Sequence, residues 1–467
     1  MPYPEKSGLR HNLIIQQHRG VHMSARQTPT DADRTIASSL IESRALTDQL
    51  FSVLRPESFY ERPIPERHRI LFYLGHLEAF DWNLLGRNVL GLDSSQKEFD
   101  RLFAFGIDPV GGGLPSDQPS DWPSIPEVRN YNQRVRQTLD AALEKVSFRD
   151  SGMPLLRDGF ALHVALEHRL MHAETLAYML HQLPLESKLR QTDASPPSAP
   201  PPVPGLAKIP AGVATLGMAG NGSGAFGWDN EFETQEVAVR EFAIDVYNVT
   251  NGQFLEFMRA GGYEDRSLWA DADWAWKSGQ GIEHPESWSL RGDQWFYRAM
   301  FEEIPLPLDW PVYVSHSEAS AYARWKGQAL PTEAQFHRAA FGTPNGPERD
   351  YPWGTEPPQP HLGNFNFVRW DPAPTGAFPA GSSAFGVADL VGNGWEWTST
   401  VFGPLPGFQA FPFYPGYSAD FFDGKHYVMK GGSARTADRL LRRSFRNWFQ
   451  PHYPYAFAKF RCVSSAS

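Results

Sequence analysis

The run Glu167-His168-Arg169-Leu170-Met171-His172-Ala173-Glu174 sets two imidazoles four positions apart. On an α-helix that spacing is about 400° of rotation, so both rings share one face. A helix offers two nitrogen ligands to one ion in this way, and the third must come from another element. His76, in Tyr73-Leu74-Gly75-His76-Leu77-Glu78, lies on the apolar face of a second predicted helix and is the candidate third ligand. The plainer alternative is that histidines at this spacing are surface or core residues that hold nothing. Glu174 follows His172 by two positions, roughly 200° around the helix, which favours a capping, ion-pairing or outer role over ligation. His163 and His181 fall off the register and read as structural. Three neutral imidazoles without a thiolate suit zinc, iron, copper or nickel, and donor type alone does not choose among them.

The elements that must carry these residues are read from periodicity. Thr35 to Leu54, Ile70 to Val89, Glu127 to Val146 and Ala161 to His181 have apolar residues at spacings of three and four with few internal glycines, which predicts four amphipathic helices and an all-α four-helix bundle. Gly106 to Pro126, rich in Gly, Pro and Asp, is expected to be a long loop. The run Ser195-Pro196-Pro197-Ser198-Ala199-Pro200-Pro201-Pro202-Val203-Pro204 cannot continue a helix and reads as a stiff linker. Beyond it, glycines and prolines recur every few residues, apolar runs are short and tryptophans dense. Helices are expected at Val249 to Ala260 and Ser317 to Trp325, with a further start at Pro331-Thr332-Glu333-Ala334, where Thr332 is the cap. The predicted organisation is a helical domain over 30–190, a Pro-rich linker over 191–205 and an irregular α+β domain over 206–465.

Composition removes several function classes. The 467 residues, 41% hydrophobic and 13% aromatic with 21% charged, describe a folded chain long enough for two or three domains. A formal charge of −10 opposes binding to nucleic acid or an anionic membrane, which requires a basic surface. The single cysteine, Cys462, excludes an internal disulfide, a zinc ribbon and a Cys-x-x-Cys redox site. That cysteine usage fits a reducing compartment, and with no continuous apolar core in the first thirty residues and no run of about 18 apolar residues, the expectation is a cytoplasmic chain without signal peptide or membrane span.

Six segments carry a family resemblance. Ile209-Pro210-Ala211-Gly212, Tyr247-Asn248-Val249-Thr250-Asn251, Leu330-Pro331-Thr332-Glu333-Ala334-Gln335, Gly392-Asn393-Gly394-Trp395-Glu396-Trp397-Thr398, Lys430-Gly431-Gly432-Ser433 and Phe460-Arg461 resemble, in that order, the formylglycine-generating-enzyme (C-type-lectin-like) fold. Those enzymes use a pair of cysteines near the C-terminus; with Cys462 alone that chemistry is not expected here. The first half resembles the DinB-like bundle, with His76, His168 and His172 on its metal positions. The pairing of the two is similar to the ergothioneine sulfoxide synthases and their selenium relatives, the selenoneine synthases. The resemblance implies Fe(II) on the three histidines and O2-dependent joining of sulfur or selenium to the imidazole C2 of hercynine, Nα-trimethylhistidine.

The same resemblance implies roles in the tail Arg446-Asn447-Trp448-Phe449-Gln450-Pro451-His452-Tyr453. Asn447 and Trp448 fall on positions that help bind hercynine: the amide suits a carboxylate, and an indole face suits a quaternary ammonium. Synthases that take γ-glutamylcysteine carry an Asp directly after this Asn-Trp pair and an Arg four residues later. Here Phe449 and Tyr453 stand there, and Gly111-Gly112-Gly113 supplies no arginine either, so nothing at these positions grips a carboxylate in bidentate fashion. An uncharged donor is expected, which points to a selenosugar and the selenoneine branch. The alternatives are a thiol donor (cysteine or γ-glutamylcysteine) and a zinc-binding DinB-like protein without oxygenase activity. A tyrosine donating a proton or electron is expected at Tyr414 or Tyr417. Arg446 and Arg461 read as structural ion-pair formers.

Overall fold

The computed structural model describes residues 31–105, 114–146, 155–192, 203–220 and 225–465. The N-terminal thirty residues, Gly111-Gly112-Gly113 and most of the Pro-rich run lie outside the described residues. The chain divides into two compact units, Met1–Gln191 and Thr192–Ser467.

The first unit is helical: α1 (Asp31–Ser52), α2 (Ile70–Asp81), α3 (Lys97–Phe105), α4 (Ile125–Leu143) and α5 (Phe160–Gln182). The four expected helices are present with boundaries shifted by a few residues, and α3 is an addition. Its nine residues are too few for periodicity to be read, although Phe99, Leu102 and Phe103 do repeat at helical spacing. The second predicted helix is also not uniform. It runs as α to Asp81 and then as a π-helical turn over Trp82–Val89. Ser124 and Glu127 cap α4 reciprocally, Pro126 occupying its first turn. Helix α2 packs against α3, α4 and α5, and α1 packs along α5.

A buried polar network joins the four long helices. Arg169 of α5, fully enclosed, reaches Asp81 at 2.6 Å and Glu78 at 3.0 Å on α2, and donates to the Leu77 carbonyl. Arg136 of α4 meets Glu78 at 2.7 Å and Asp48 of α1 at 2.6 Å, and Arg44 of α1 meets Asp140 of α4 at 2.6 Å. Buried charges persist only when paired and hydrogen-bonded, and here each long helix contributes a partner.

The second unit holds β1 (Leu206–Ile209), β2 (Gly212–Leu216), β3 (Gln235–Val239), β4 (Phe242–Asp245), α6 (Asn251–Arg259), α7 (Asp271–Gln280), β5 (Trp288–Arg291), β6 (Gln294–Arg298), β7 (Glu303–Pro305), α8 (His316–Trp325), α9 (Glu333–Phe341), β8 (Trp395–Val401), β9 (Tyr427–Lys430), β10 (Asn447–Phe449), β11 (Ala458–Lys459) and β12 (Val463–Ser465). Among the described residues four small sheets form, in orders β1-β4-β12, β10-β9-β8-β11, β2-β3 and β5-β6-β7. The expected helix starts are found: Thr332 accepts from the Gln335 amide at 3.1 Å while the Gln335 side chain accepts from the Thr332 amide. Helix α7 is a further addition to the sequence reading.

Polar residues from five of the six resembling segments find their partners in the interior. Arg461 clamps Glu396 at 2.6 and 2.8 Å, and Asn248 donates to Glu396 and accepts from Lys459. Arg446 grips Glu333 at 3.0 and 3.1 Å, with Lys430 beside it. Both arginines are buried ion-pair formers, as the sequence reading has them.

Candidate metal centre

His76 on α2 faces His168 and His172 on α5. The three residues each offer a ring nitrogen, and these atoms lie within 4.8 Å of one another, a spread that ring rotation narrows toward the roughly 3 Å between nitrogens sharing one ion. His168 and His172 ring centroids are 4.4 Å apart, and His76 stands 5.2 and 4.9 Å from them. The i, i+4 spacing and the apolar face of α2 thus bring together the three histidines singled out in the sequence. Glu174 is buried on α5 and lies outside this cluster.

Burial controls the protonation of all three. It pushes His76 down to about 4 and His168 and His172 well below the ordinary histidine range, the neighbouring rings and Arg169 acting in the same direction. The imidazoles are neutral at physiological pH, with lone pairs available to a cation. His76 Nδ1 donates to the Phe103 carbonyl at 2.7 Å, leaving Nε2 as its ligand atom. The Nδ1 atoms of His168 and His172 are buried without a hydrogen-bond partner. Phe80 stacks on His168 at 3.4 Å, Phe72 on His76 at 4.7 Å, and the Tyr73 ring lies 5.8 Å from His172. A set of three neutral nitrogen donors in an aromatic sheath fits a divalent transition metal such as Fe(II) and leaves coordination positions for exogenous ligands. The sequence reading missed the Phe103 carbonyl and the flanking rings, because a backbone acceptor has no residue signature.

The residues singled out in the second unit fall into two neighbourhoods. Trp448 on β10 stacks on Phe402 at 4.2 Å and meets Tyr417 at 5.7 Å, nearly edge-on, and Phe421 at 5.5 Å. Tyr417 in turn stacks on buried Trp228 at 4.0 Å, with Tyr414 5.6 Å away. Tyr414 is half-buried, and desolvation together with the Asp229 charge pushes its hydroxyl up to about 12. Asp229 accepts from Ser418 and is itself raised to about 6 by burial. Phe449 belongs elsewhere: it stacks on Tyr453 at 4.8 Å, and Tyr453 meets Tyr455 edge-on. Successive strand residues point to opposite faces, which separates Trp448 from Phe449 and puts Asn447 on the Phe449 side. Asn447 Oδ1 accepts from the Trp448 amide, so its Nδ2 is the group left to donate.

Residues 191–466 match the family described as the sulfatase-modifying factor enzyme 1-like domain, and residues 39–176 match the DinB superfamily. Among characterised relatives, "Hercynine oxygenase" of Mycolicibacterium thermoresistibile is 35% identical over 342 residues, 72% of this chain and 74% of the relative. The protein of the same name from Mycobacterium tuberculosis is 34% identical over 72% of this chain and 76% of its own length. "Ergothioneine biosynthesis protein 1" of Neurospora crassa is 28% identical over 88% of this chain and 55% of its own. No helix among the described residues is long and apolar enough to cross a membrane. With a DinB-superfamily helical region followed by a sulfatase-modifying factor enzyme 1-like domain, the chain belongs to the hercynine oxygenase family.

Proposed function

We propose that this chain is a non-heme Fe(II) enzyme that uses O2 to form a bond between the imidazole C2 of hercynine and a chalcogen donor, and that the donor is a selenosugar. The observation that carries the metal half is the buried, neutral triad His76, His168 and His172 in a chain of this family. Iron bound there supplies the redox chemistry with O2. The chain's own residues bind and orient. Trp448 offers its ring to the trimethylammonium group by cation–π attraction, while Asn447, on the opposite face of β10 with Phe449, offers its Nδ2 to a polar group of the donor. Tyr417 is the better placed of the two tyrosines to move a proton or electron near hercynine, since its ring packs against Trp448.

The donor assignment is supported by the Phe449–Tyr453 stack. These two residues occupy the positions where γ-glutamylcysteine-using synthases have an acid and a guanidinium, and they contact one another as rings. An aromatic platform suits a neutral, hydroxyl-rich sugar, and neither ring supplies the guanidinium that would grip a carboxylate in bidentate fashion. A second reading, a thiol donor giving an ergothioneine-type sulfoxide, is favoured by the relatives whose names refer to ergothioneine biosynthesis.

Anaerobic reconstitution with Fe(II) and hercynine, then O2 with a selenosugar, cysteine or γ-glutamylcysteine in parallel, decides between them by mass spectrometry. A hercynine–selenosugar adduct is expected, and Phe449→Asp should cut its formation at least tenfold while iron loading is unchanged. Product from a thiol with none from the selenosugar overturns the donor assignment, and loss of iron from the Phe449 variant contradicts its placement in the donor site.

A further inference from the structure

Helix α3 is held against the metal-bearing helices by specific contacts. Asp100, buried on α3, accepts from Trp82 Nε1 at 3.1 Å in the π turn after α2, from the Tyr131 hydroxyl at 3.0 Å on α4, and from Ser94. Asn83 donates to the Asp100 carbonyl at 3.2 Å. The Phe99 and Phe103 rings pack on Tyr131 at 5.5 and 6.1 Å. The far end of α3 then delivers the Phe103 carbonyl to His76 Nδ1 at 2.7 Å. Carbonyls in the last turn of a helix have no partner within it and sit at the negative end of its dipole, so this one is available to an outside N–H and polarises the ring toward Nε2.

The approach depends on Gly75. A Cβ at that position would lie 2.4 Å from two atoms of the Phe103 ring, so α3 closes on α2 only because residue 75 has no side chain. Glycine in a helix interior is otherwise unfavourable by about 1 kcal/mol relative to alanine, and here its use coincides with the residue preceding a ligand.

Resting on the reading of the triad as a metal centre, we propose that α3 is the positioning element of the His76 ligand: Gly75 admits Phe103, and the Phe103 carbonyl fixes the tautomer and aim of the ring. None of the residues of α3 is among the three candidate ligands. The helix acts through His76, as carbonyl and carboxylate partners of metal-bound histidines do.

The test uses the full chain loaded anaerobically with Co(II), whose visible ligand-field bands report coordination independently of turnover. Wild type should bind one Co(II) with histidine-ligand bands, and His172→Ala should not. Gly75→Ala should retain helical circular dichroism while its Co(II) affinity falls at least tenfold, and Gly75→Ala/Phe103→Ala, which makes room for the methyl group, should recover most of that loss. Should Gly75→Ala not fold, Asp100→Asn, which loosens α3 without touching α2, is expected to show the same weakening. Affinity and bands equal to wild type in the folded variant, or no recovery in the double variant, overturn the role of α3. Absence of Co(II) binding by wild type itself would instead remove the metal centre.

Discussion

Burial acts in one direction on the histidines and in the opposite one on the acids, and both effects matter at single residues here. At the triad it keeps three imidazoles neutral, which is the state a cation needs. At Asp229 it favours the protonated carboxyl, raised to about 6 from the ordinary 3.8. The native state therefore holds its proton on Asp229 through a window in which the unfolded chain has lost it. The stabilisation is complete below about pH 4 and is lost as pH rises to about 6. Asp229→Asn, neutral at every pH and still able to accept from Ser418, should gain on wild type across that window and keep a constant advantage above it, up to ~3 kcal/mol at ~1.4 kcal/mol per pH unit of displacement. Urea unfolding of both proteins from pH 4 to 8 checks this, and a gap independent of pH would contradict it.

At the scale of elements, ligand geometry is set by how α2 and α5 are held, and the Arg169 network ties the two helices together beside the histidines. Arg169 follows His168 directly, and Glu78 comes two residues after His76, so each helix carries a ligand and an ion-pair partner on neighbouring turns. Arg169→Met leaves Asp81 and Glu78 short of a buried partner and should destabilise the helical unit by ~3–5 kcal/mol, read as an early loss of far-ultraviolet circular dichroism in denaturant. An unchanged midpoint would mean that the network adds nothing. The long helices and the His168/His172 face were legible in the sequence because periodicity and i, i+4 spacing are local. The Asp100 docking of α3 and the Phe103 carbonyl were not: they depend on a short helix and on backbone groups brought together across tens of residues. The loop tyrosines show the same limit. Their residue types were visible, but the contact of Tyr417 with Trp448 and its stack on Trp228 arise only from packing.

Across the whole molecule, the two units divide the labour that the family relationship implies. The helical unit carries the three histidines of the candidate metal centre, and the second unit carries the Trp448 and Phe449–Tyr453 aromatic groups. The second unit was recognisable from short segments because Asn248, Glu333, Glu396, Lys430 and Arg461, which five of the six contain, are interior ion-pair and hydrogen-bond partners of one another or of Arg446. Substitution at these positions is constrained by burial. Phe449 and Tyr453 are only half-buried, so the donor proposal rests on positions where the interior does not dictate the residue. The central claim, that the triad makes this chain a hercynine-dependent oxygenase, is tested most directly by O2 uptake after anaerobic Fe(II) loading with the chosen donor present. Uptake should require hercynine and should vanish in His172→Ala together with bound iron. A protein that retains zinc in preference to iron and consumes no O2 with hercynine would contradict the account.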